Sequence, residues 1–391
     1  MKIAILGFGT VGKGVYEIIK KANAQTQNLS VSHILIRKNK ARLLPEMTDD
    51  MNEILNDKAT DVVVEAIGGI EPAHEYILAA LNHGKHVITA NKAVIAIYLK
   101  EFTDAADANN VKFYFEASVG GGIPWIQGLE KALRIDNVNS ISGIFNGTSN
   151  FILDQMSRNG ESFMEVLKKA QQLGYAGADP SADIDGIDVA NKLCISADIA
   201  YNIDIKDHKD LPIFGIRNIT SADVKFFQQK GFAVKLIGRT RQKGNKFDYV
   251  VEPALFFDRT LEANTPDNYN LISLNGDTIG KLDFFGQGAG MLPTANAVIQ
   301  DILDIEEQKS HLKRDFDKTM EYCPELTKGD YLVRSKVDVS DIFADYNPSQ
   351  EGAYVMVHQI PVGDMHKMMK RILKLDKSAF MVSLPSQEAV A

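Results

Sequence analysis

Lys2-Ile3-Ala4-Ile5-Leu6-Gly7-Phe8-Gly9-Thr10-Val11-Gly12 is the stretch on which the fold turns. A short β-branched apolar run stops at Gly7, and the glycine turn leads straight into Lys13-Gly14-Val15-Tyr16-Glu17-Ile18-Ile19, which reads as a helix. Strand, glycine turn and helix in that order are what a dinucleotide fingerprint needs. Glycines permit the tight turn and let the backbone approach a pyrophosphate, whose charge suits the unpaired N–H groups and dipole of a helix N-terminus. A plain glycine turn is the other reading, and the flanking strand and helix weigh against it. A secretory signal fits less well, because the apolar run is cut at Gly7 and no small-residue cleavage site follows.

Working outward, residues 1–125 alternate β-branched runs with helical segments: KIAILG, VSHILIR, DVVVEAIG, HVITA and VKFYFEAS. That alternation predicts a parallel sheet with helices on both faces, a Rossmann-type α/β domain. From about residue 138 longer strands such as VNSISGIFN appear, so 126–285 reads as an α+β domain. The segment GQGAGMLPTANAVIQDIL predicts a loop and a helix over 286–309, and 310–330 is polar enough for a linker. Residues 330–391 hold strand, strand, helix and strand, a small C-terminal αβ appendix. The 391 residues are 45% hydrophobic and 24% charged, the composition of an ordinary globular enzyme. A net charge of −8 without a basic block argues against nucleic acid or an anionic membrane as partner. No apolar run approaches the length of a transmembrane helix. Cys194 and Cys323 form no spaced framework, Cys194 reading as a reduced core residue, and the chain reads as cytoplasmic.

Three further stretches bear chemistry. The strand Ile34-Leu35-Ile36 ends in Arg37-Lys38 where an NAD site expects an acid for the ribose 2′-hydroxyl. Two cations suit a 2′-phosphate instead, which tilts the site toward NADP, while a solvated basic turn is the alternative. Gly174–Lys192 contains four carboxylates, Asp179, Asp183, Asp185 and Asp188, and Gly186 marks the turn into a helix. On that helix Asp188 and Lys192 are four apart and therefore neighbours. A surface ion pair is the bland reading, but Ile195 and Ile199 share their face and the rest of the helix is apolar. The pair is therefore desolvated, as pairs in active sites are. Glu116-Ala117-Ser118-Val119-Gly120-Gly121-Gly122-Ile123-Pro124 is a loop suited to close backbone approach. From composition alone, a ligand-facing loop and a plain turn both remain open. Lys92 poses a separate question: it puts an ammonium at the mouth of the apolar strand His86–Thr89.

Taken together, the fingerprint, VVEAIGGIEPA, VITANKA, EASVGGGIP, NGTSNFIL, GYAGADPSADIDGIDVANK and GAGMLPTA resemble the homoserine dehydrogenase family, in the family's order, from residue 1 to about 303. The resemblance implies hydride transfer between NAD(P)H and C4 of aspartate 4-semialdehyde, giving homoserine. It implies that Lys192 exchanges the hydroxyl proton, that Asp188 orients it, and that Lys92 holds positive charge beside the nicotinamide and substrate. Gly147, Thr148, Tyr175, Gly177 and Asp183 are expected along the substrate. Gly7, Phe8, Gly9, Thr10, Val11, Gly12, Arg37, Lys38, Ile67, Gly68, Thr89, Lys92 and Gly288 are expected along NADP, with NAD as the alternative cofactor. Glu116 with the carbonyls of Val119, Gly121 and Ile123 resembles the family's structural sodium site. The family also implies a second domain that dimerises, a homodimer or homotetramer, and a role in threonine and methionine biosynthesis.

Two departures stand out. The family usually has Glu where this chain has Gly177, the carboxylate expected to hold the substrate's amino end. The C-terminal segment resembles an ACT regulatory domain in reduced form, with VDVSDIFADYNPSQEG in place of a full helix. Competing expectations are a cofactor-binding regulatory protein with impaired turnover and a dehydrogenase of a related semialdehyde. Retention of Lys92, Asp188 and Lys192 favours chemistry.

Overall fold

The computed structural model describes residues 1–21, 23–205, 211–309 and 311–385. The chain divides into two compact units: Met1–Asn137 with Cys194–Asp207 and Gly286–Lys318, and Val138–Leu193 with His208–Phe285 and Thr319–Ala391. In the first unit β1 (Lys2–Leu6), β2 (Ser30–Leu35), β3 (Met47–Thr48), β4 (Val62–Glu65), β5 (His86–Thr89) and β6 (Phe113–Tyr114) form a parallel sheet ordered β3-β2-β1-β4-β5-β6. This is the doubly wound order, whose direction reverses between β1 and β4 and opens a ligand crevice at the strands' carboxyl ends. The Val62–Val64 run is continuous because β4 is central and fully buried. Helices α1 (Thr10–Lys20), α2 (Met51–Asn56), α3 (Ala73–Asn82), α4 (Lys92–Ala108) and α5 (Trp125–Ala132) complete this stretch. The run Val111–Ser118 reads as one strand, yet Phe113–Tyr114 alone pairs and Glu116–Ser118 turns into a 3-10 helix. The physical reason lies in Glu116, whose carboxylate oxygens accept the amides of Ile126 (2.9 Å) and Gln127 (2.8 Å) in the first turn of α5.

The second unit begins with β7 (Val138–Ile144), followed by α6 (Gly147–Asn159), α7 (Phe163–Gln172) and the short α8 (Ser181–Ile184). Helix α9 (Ile187–Tyr201) passes from the second unit to the first after Leu193. Next come α10 (Ser221–Gln229), β8 (Phe232–Lys243), β9 (Lys246–Phe257), β10 (Tyr269–Gly276) and β11 (Gly280–Gln287). Strands β8 and β9 make a long antiparallel hairpin around Gly244-Asn245, and Gly244 takes the left-handed φ of +64° that so tight a turn demands.

The chain then contributes α11 (Met291–Glu306) to the first unit. It packs so closely on α1 that a Cβ on Gly14 would stand 2.8 Å from the Met291 carbonyl. Ile3, Ile5, Val62, Val64 and Ile88 meet Val298 and Ile302 in one buried cluster. Residues 319–385 supply β12 (Glu321–Tyr322), β13 (Lys328–Arg334), β14 (Ser349–Glu351), β15 (Tyr354–Pro361), α12 (Val362–Leu375) and β16 (Phe380–Ser383). Their strands extend the second unit's sheet, whose order is β11-β10-β7-β8-β9-β16-β13-β15-β14 with β12 also on β9. Between β13 and β14 the 3-10 helix Ser340–Tyr346 occupies the place of a full helix. No helix among the described residues is long and apolar enough to cross a membrane.

Candidate active site

In the first unit three loops gather at the carboxyl ends of β1, β4 and β5. Gly7 has φ +96°, and a Cβ there would lie 2.8 Å from the Ala66 carbonyl. At Gly12 a Cβ would lie 2.1 Å from the Gly7 carbonyl, so the turn admits no side chain at either place. At Gly9 a Cβ would meet nothing within 4 Å. Gly9 is the N-cap of α1 and makes no side-chain cap bond. A helix N-terminus with open space before it and no competing side chain is a cradle for a pyrophosphate. Phe8 lies on this turn, and Thr10 and Val11 open α1. Arg37 and Lys38, just past β2, are exposed and make no ion pair among the described residues, whereas Arg42 nearby pairs with Asp49.

Glu65, which sequence reasoning missed, ties the other two loops together. Its Oε1 accepts the amides of Ile67 (2.7 Å) and Gly68 (3.3 Å), and its Oε2 accepts the Thr89 hydroxyl at 2.6 Å. Thr89 in turn accepts the Asn91 amide at 3.0 Å. The Asn91 side chain donates to the Gly69 carbonyl at 2.7 Å and caps α4 by accepting from Val94. Lys92 is thereby fixed as the first residue of α4. An ammonium at a helix N-terminus opposes the macrodipole, so helix stability does not explain it.

The loop Val119–Ile123 belongs to the same unit. The carbonyls of Val119 and Gly121, both buried residues, accept no hydrogen bond among the described residues, whereas that of Ile123 accepts the Trp125 amide at 2.8 Å. Hard, orphaned carbonyl oxygens are the donor chemistry a monovalent cation needs. Glu116 spends its carboxylate on α5, and its carbonyl accepts the Val119 amide at 3.4 Å. Gly288 lies against this loop, since a Cβ on Gly121 (φ +58°) would stand 2.5 Å from the Gly288 carbonyl carbon.

The second unit holds a buried charge cluster of its own. Lys192 Nζ lies 2.8 Å from Asp188 Oδ2, with the two side chains 8% and 5% exposed. The desolvation read from the apolar helix is thus present, and Val189, Ala190, Leu193 and Ile195 around the pair are buried. Lys192 also donates to the Phe145 carbonyl at 2.7 Å. The next residue, Asn146, donates to Asp188 Oδ2 (2.9 Å) and to Asp183 Oδ1 (2.7 Å), while its own oxygen caps α6 by accepting the Ser149 amide. Asn146 bridges the two carboxylates and was also missed by sequence reasoning. Thr148 donates to the Tyr175 carbonyl at 2.7 Å, and Gly147 is pressed against the Asn268 carbonyl, where a Cβ would be 2.6 Å away. Gly177 stands exposed on the loop beyond. A buried amine with a carboxylate and a carbonyl to orient it can exchange a proton with a hydroxyl or carbonyl oxygen. A dinucleotide cradle in the first unit and such an amine in the second are the functional groups of an NAD(P)-dependent oxidoreductase acting on a CH–OH group.

Comparison with known proteins specifies the class. The family model described as "Homoserine dehydrogenase, NAD binding domain" matches residues 7–116, and that described as "Homoserine dehydrogenase" matches 124–303. The chain belongs to the homoserine dehydrogenase family. It is 40% identical to the homoserine dehydrogenase of Synechocystis sp. over 317 residues, 78% of this chain and 73% of that protein. The crystal structure of a homoserine dehydrogenase from Thiobacillus denitrificans matches with a TM-score of 0.86 at 33% identity, covering 99% of this chain and 98% of its own. A hyperthermophilic archaeal homoserine dehydrogenase mutant in complex with NADPH matches at 26% identity and a TM-score of 0.69, covering 80% of this chain and 99% of its own.

Proposed function

We propose that the chain interconverts aspartate 4-semialdehyde and L-homoserine with NADP(H) as the preferred cofactor, and that Lys192 moves the proton. The nicotinamide supplies or accepts the hydride. Lys192 exchanges the proton of the substrate oxygen, Asp188 orients the amine, and Lys92 contributes positive charge where alkoxide character develops. The buried Lys192–Asp188 pair at 2.8 Å, anchored to the Phe145 carbonyl, carries this reading. Arg37 and Lys38 support the 2′-phosphate, as does the NADPH carried by the archaeal relative.

Residues 1–125 with 286–309 serve as the NAD(P)-binding domain, 126–285 as the substrate-binding and dimerisation domain, and 330–391 as a reduced ACT-like segment. Gly147, Thr148, Tyr175, Gly177 and Asp183 contact substrate, and Ile67, Gly68, Thr89 and Gly288 contact cofactor. Glu116 with the carbonyls of Val119, Gly121 and Ile123 would hold a structural sodium ion. The enzyme works in the cytoplasm as a homodimer or homotetramer. Gly177 favours a second reading, reduction of a semialdehyde without the amino group and the reverse oxidation of its alcohol. The test is NADPH oxidation with aspartate 4-semialdehyde, run beside NADH and beside a semialdehyde lacking the amino group. A higher kcat/KM for the analogue overturns the substrate assignment.

A further inference from the structure

Helix α11 carries Asp301 and Asp304, and the segment that follows it brings back His311, all within the first unit. Asp301 is wholly buried. Its Oδ2 accepts the Glu116 amide at 3.0 Å, whereas its Oδ1 has no hydrogen-bond partner among the described residues. A buried carboxylate oxygen without a donor is costly, and it calls for a cation or a proton. Asp304 Oδ2 and His311 Nε2 stand 3.6 Å apart, too far for a hydrogen bond. Two ligands about 2.1 Å from a common ion and subtending about 118° at it have that separation. One ligand atom from each of Asp301, Asp304 and His311 can be chosen so that all lie within 4.8 Å of one another.

The surroundings match a metal-ligating histidine. His311 Nδ1 faces Glu130 Oε2 at 3.2 Å, and the ring stacks on Tyr114 with centroids 3.8 Å apart. A carboxylate on the distal nitrogen fixes the tautomer that leaves Nε2 free to ligate. Lys309 donates to Asp304 Oδ1 (3.0 Å) and Gln127 to Oδ2 (2.9 Å), which leaves a second lone pair on Oδ2 for an ion.

We propose that Asp301, Asp304 and His311 bind a divalent transition-metal ion, with Glu130 as the outer carboxylate on the imidazole. One imidazole nitrogen beside two carboxylate oxygens suits zinc or cobalt better than magnesium or calcium. The site is distinct from the Val119–Ile123 carbonyl loop, because its donors are side chains. It ties the segment after α11 back to that helix.

The full chain is stripped with a chelator, kept in sodium buffer, and titrated with Co²⁺ followed by ligand-field absorption, then with Zn²⁺ in competition. One Co²⁺ per chain, displaced by Zn²⁺, is expected. His311→Ala should weaken binding by more than about 100-fold and Glu130→Gln by about 10- to 100-fold, the usual effect of an outer partner. NADP binding by the partly exposed His311→Ala variant reports that it is folded. Absence of binding up to millimolar Co²⁺, or binding unchanged in His311→Ala, overturns the proposal and makes His311–Asp304 an ordinary ion pair.

Discussion

The Lys192 ammonium donates to the Phe145 main-chain carbonyl at 2.7 Å, so backbone as well as carboxylate holds the amine in place. Phe145 directly precedes the Asn146 cap of α6, and the amine is therefore positioned by a helix start rather than by a flexible partner. A group fixed in this way is suited to proton transfer and not merely to charge balance.

Replacing Lys192 by Ala should cut kcat by at least about 10², the lower bound of general acid–base catalysis. NADP affinity should stay within about twofold, because the cradle lies on other elements. Asp188 keeps the Asn146 amide as a donor, so the variant should fold. Retention of more than about a tenth of kcat is incompatible with the proton-transfer role.

NADP(H) should bind more tightly than NAD(H), because Arg37 and Lys38 stand where a ribose-binding acid belongs. Changing Arg37 to Asp should lower the NADP preference by about 10- to 100-fold, since a charged hydrogen bond contributes roughly 1.5–3 kcal/mol. Dissociation constants for both cofactors, measured by fluorescence on parent and variant, decide the matter. A parent that prefers NADH contradicts the assignment of this turn.

The parts of the site that could be read from the chain are those whose chemistry is local. Gly7–Gly12 lies between its own strand and helix, and Asp188 and Lys192 are one helical turn apart. Asn146 contacts Asp188 across 42 positions of sequence, and Glu65 contacts Thr89 across 24. The first depends on where α9 packs against the start of α6 and the second on the β4–β5 register, neither of which a spacing rule reveals. Glu65 also ends an apolar strand and reads as its polar stop. Val111–Ser118 misled for the converse reason: its strand propensity is overridden where Glu116 turns to cap α5. The joining of β16 to β9 rests on a single paired position, Ser383 with Ala254, which leaves no mark in either sequence.

Burial pushes the Lys235 ammonium down from 10.5 to about 8, with Asp154 opposing and Arg158 adding to the shift. Between these values the unfolded chain binds a proton that the folded chain does not. For this group stability therefore rises with pH from about 8 to 10.5, and its full destabilising effect is present below 8. The effect is worth roughly 3 kcal/mol at most. Lys235→Met removes this dependence but strips the donor from Asn150 Oδ1 and the Thr265 carbonyl, costing about 1–3 kcal/mol. In urea unfolding at several pH values, the parent should gain on the variant as pH rises from 8 to 10. A constant difference across that range refutes the shift.

Gly177 should make homoserine binding weak rather than chemistry slow. The lost carboxylate–ammonium contact is worth roughly 1.5–3 kcal/mol, which raises KM by about 10- to 100-fold with kcat less affected. The loop can accept the missing side chain. Gly177 is exposed, has no left-handed φ, and a Cβ there would meet only the Asp179 carbonyl, at 3.8 Å. Gly177→Glu should therefore lower KM for homoserine and leave an analogue without the amino group unchanged. Asp183 is held by Asn146, and Asp179 accepts the Ser181 amide, so each of these loop acids already has a donor. Steady-state kinetics on parent and variant with both substrates separate the outcomes. If the parent already binds homoserine in the micromolar range and the variant improves neither substrate, the amino group is held elsewhere and Gly177 is neutral.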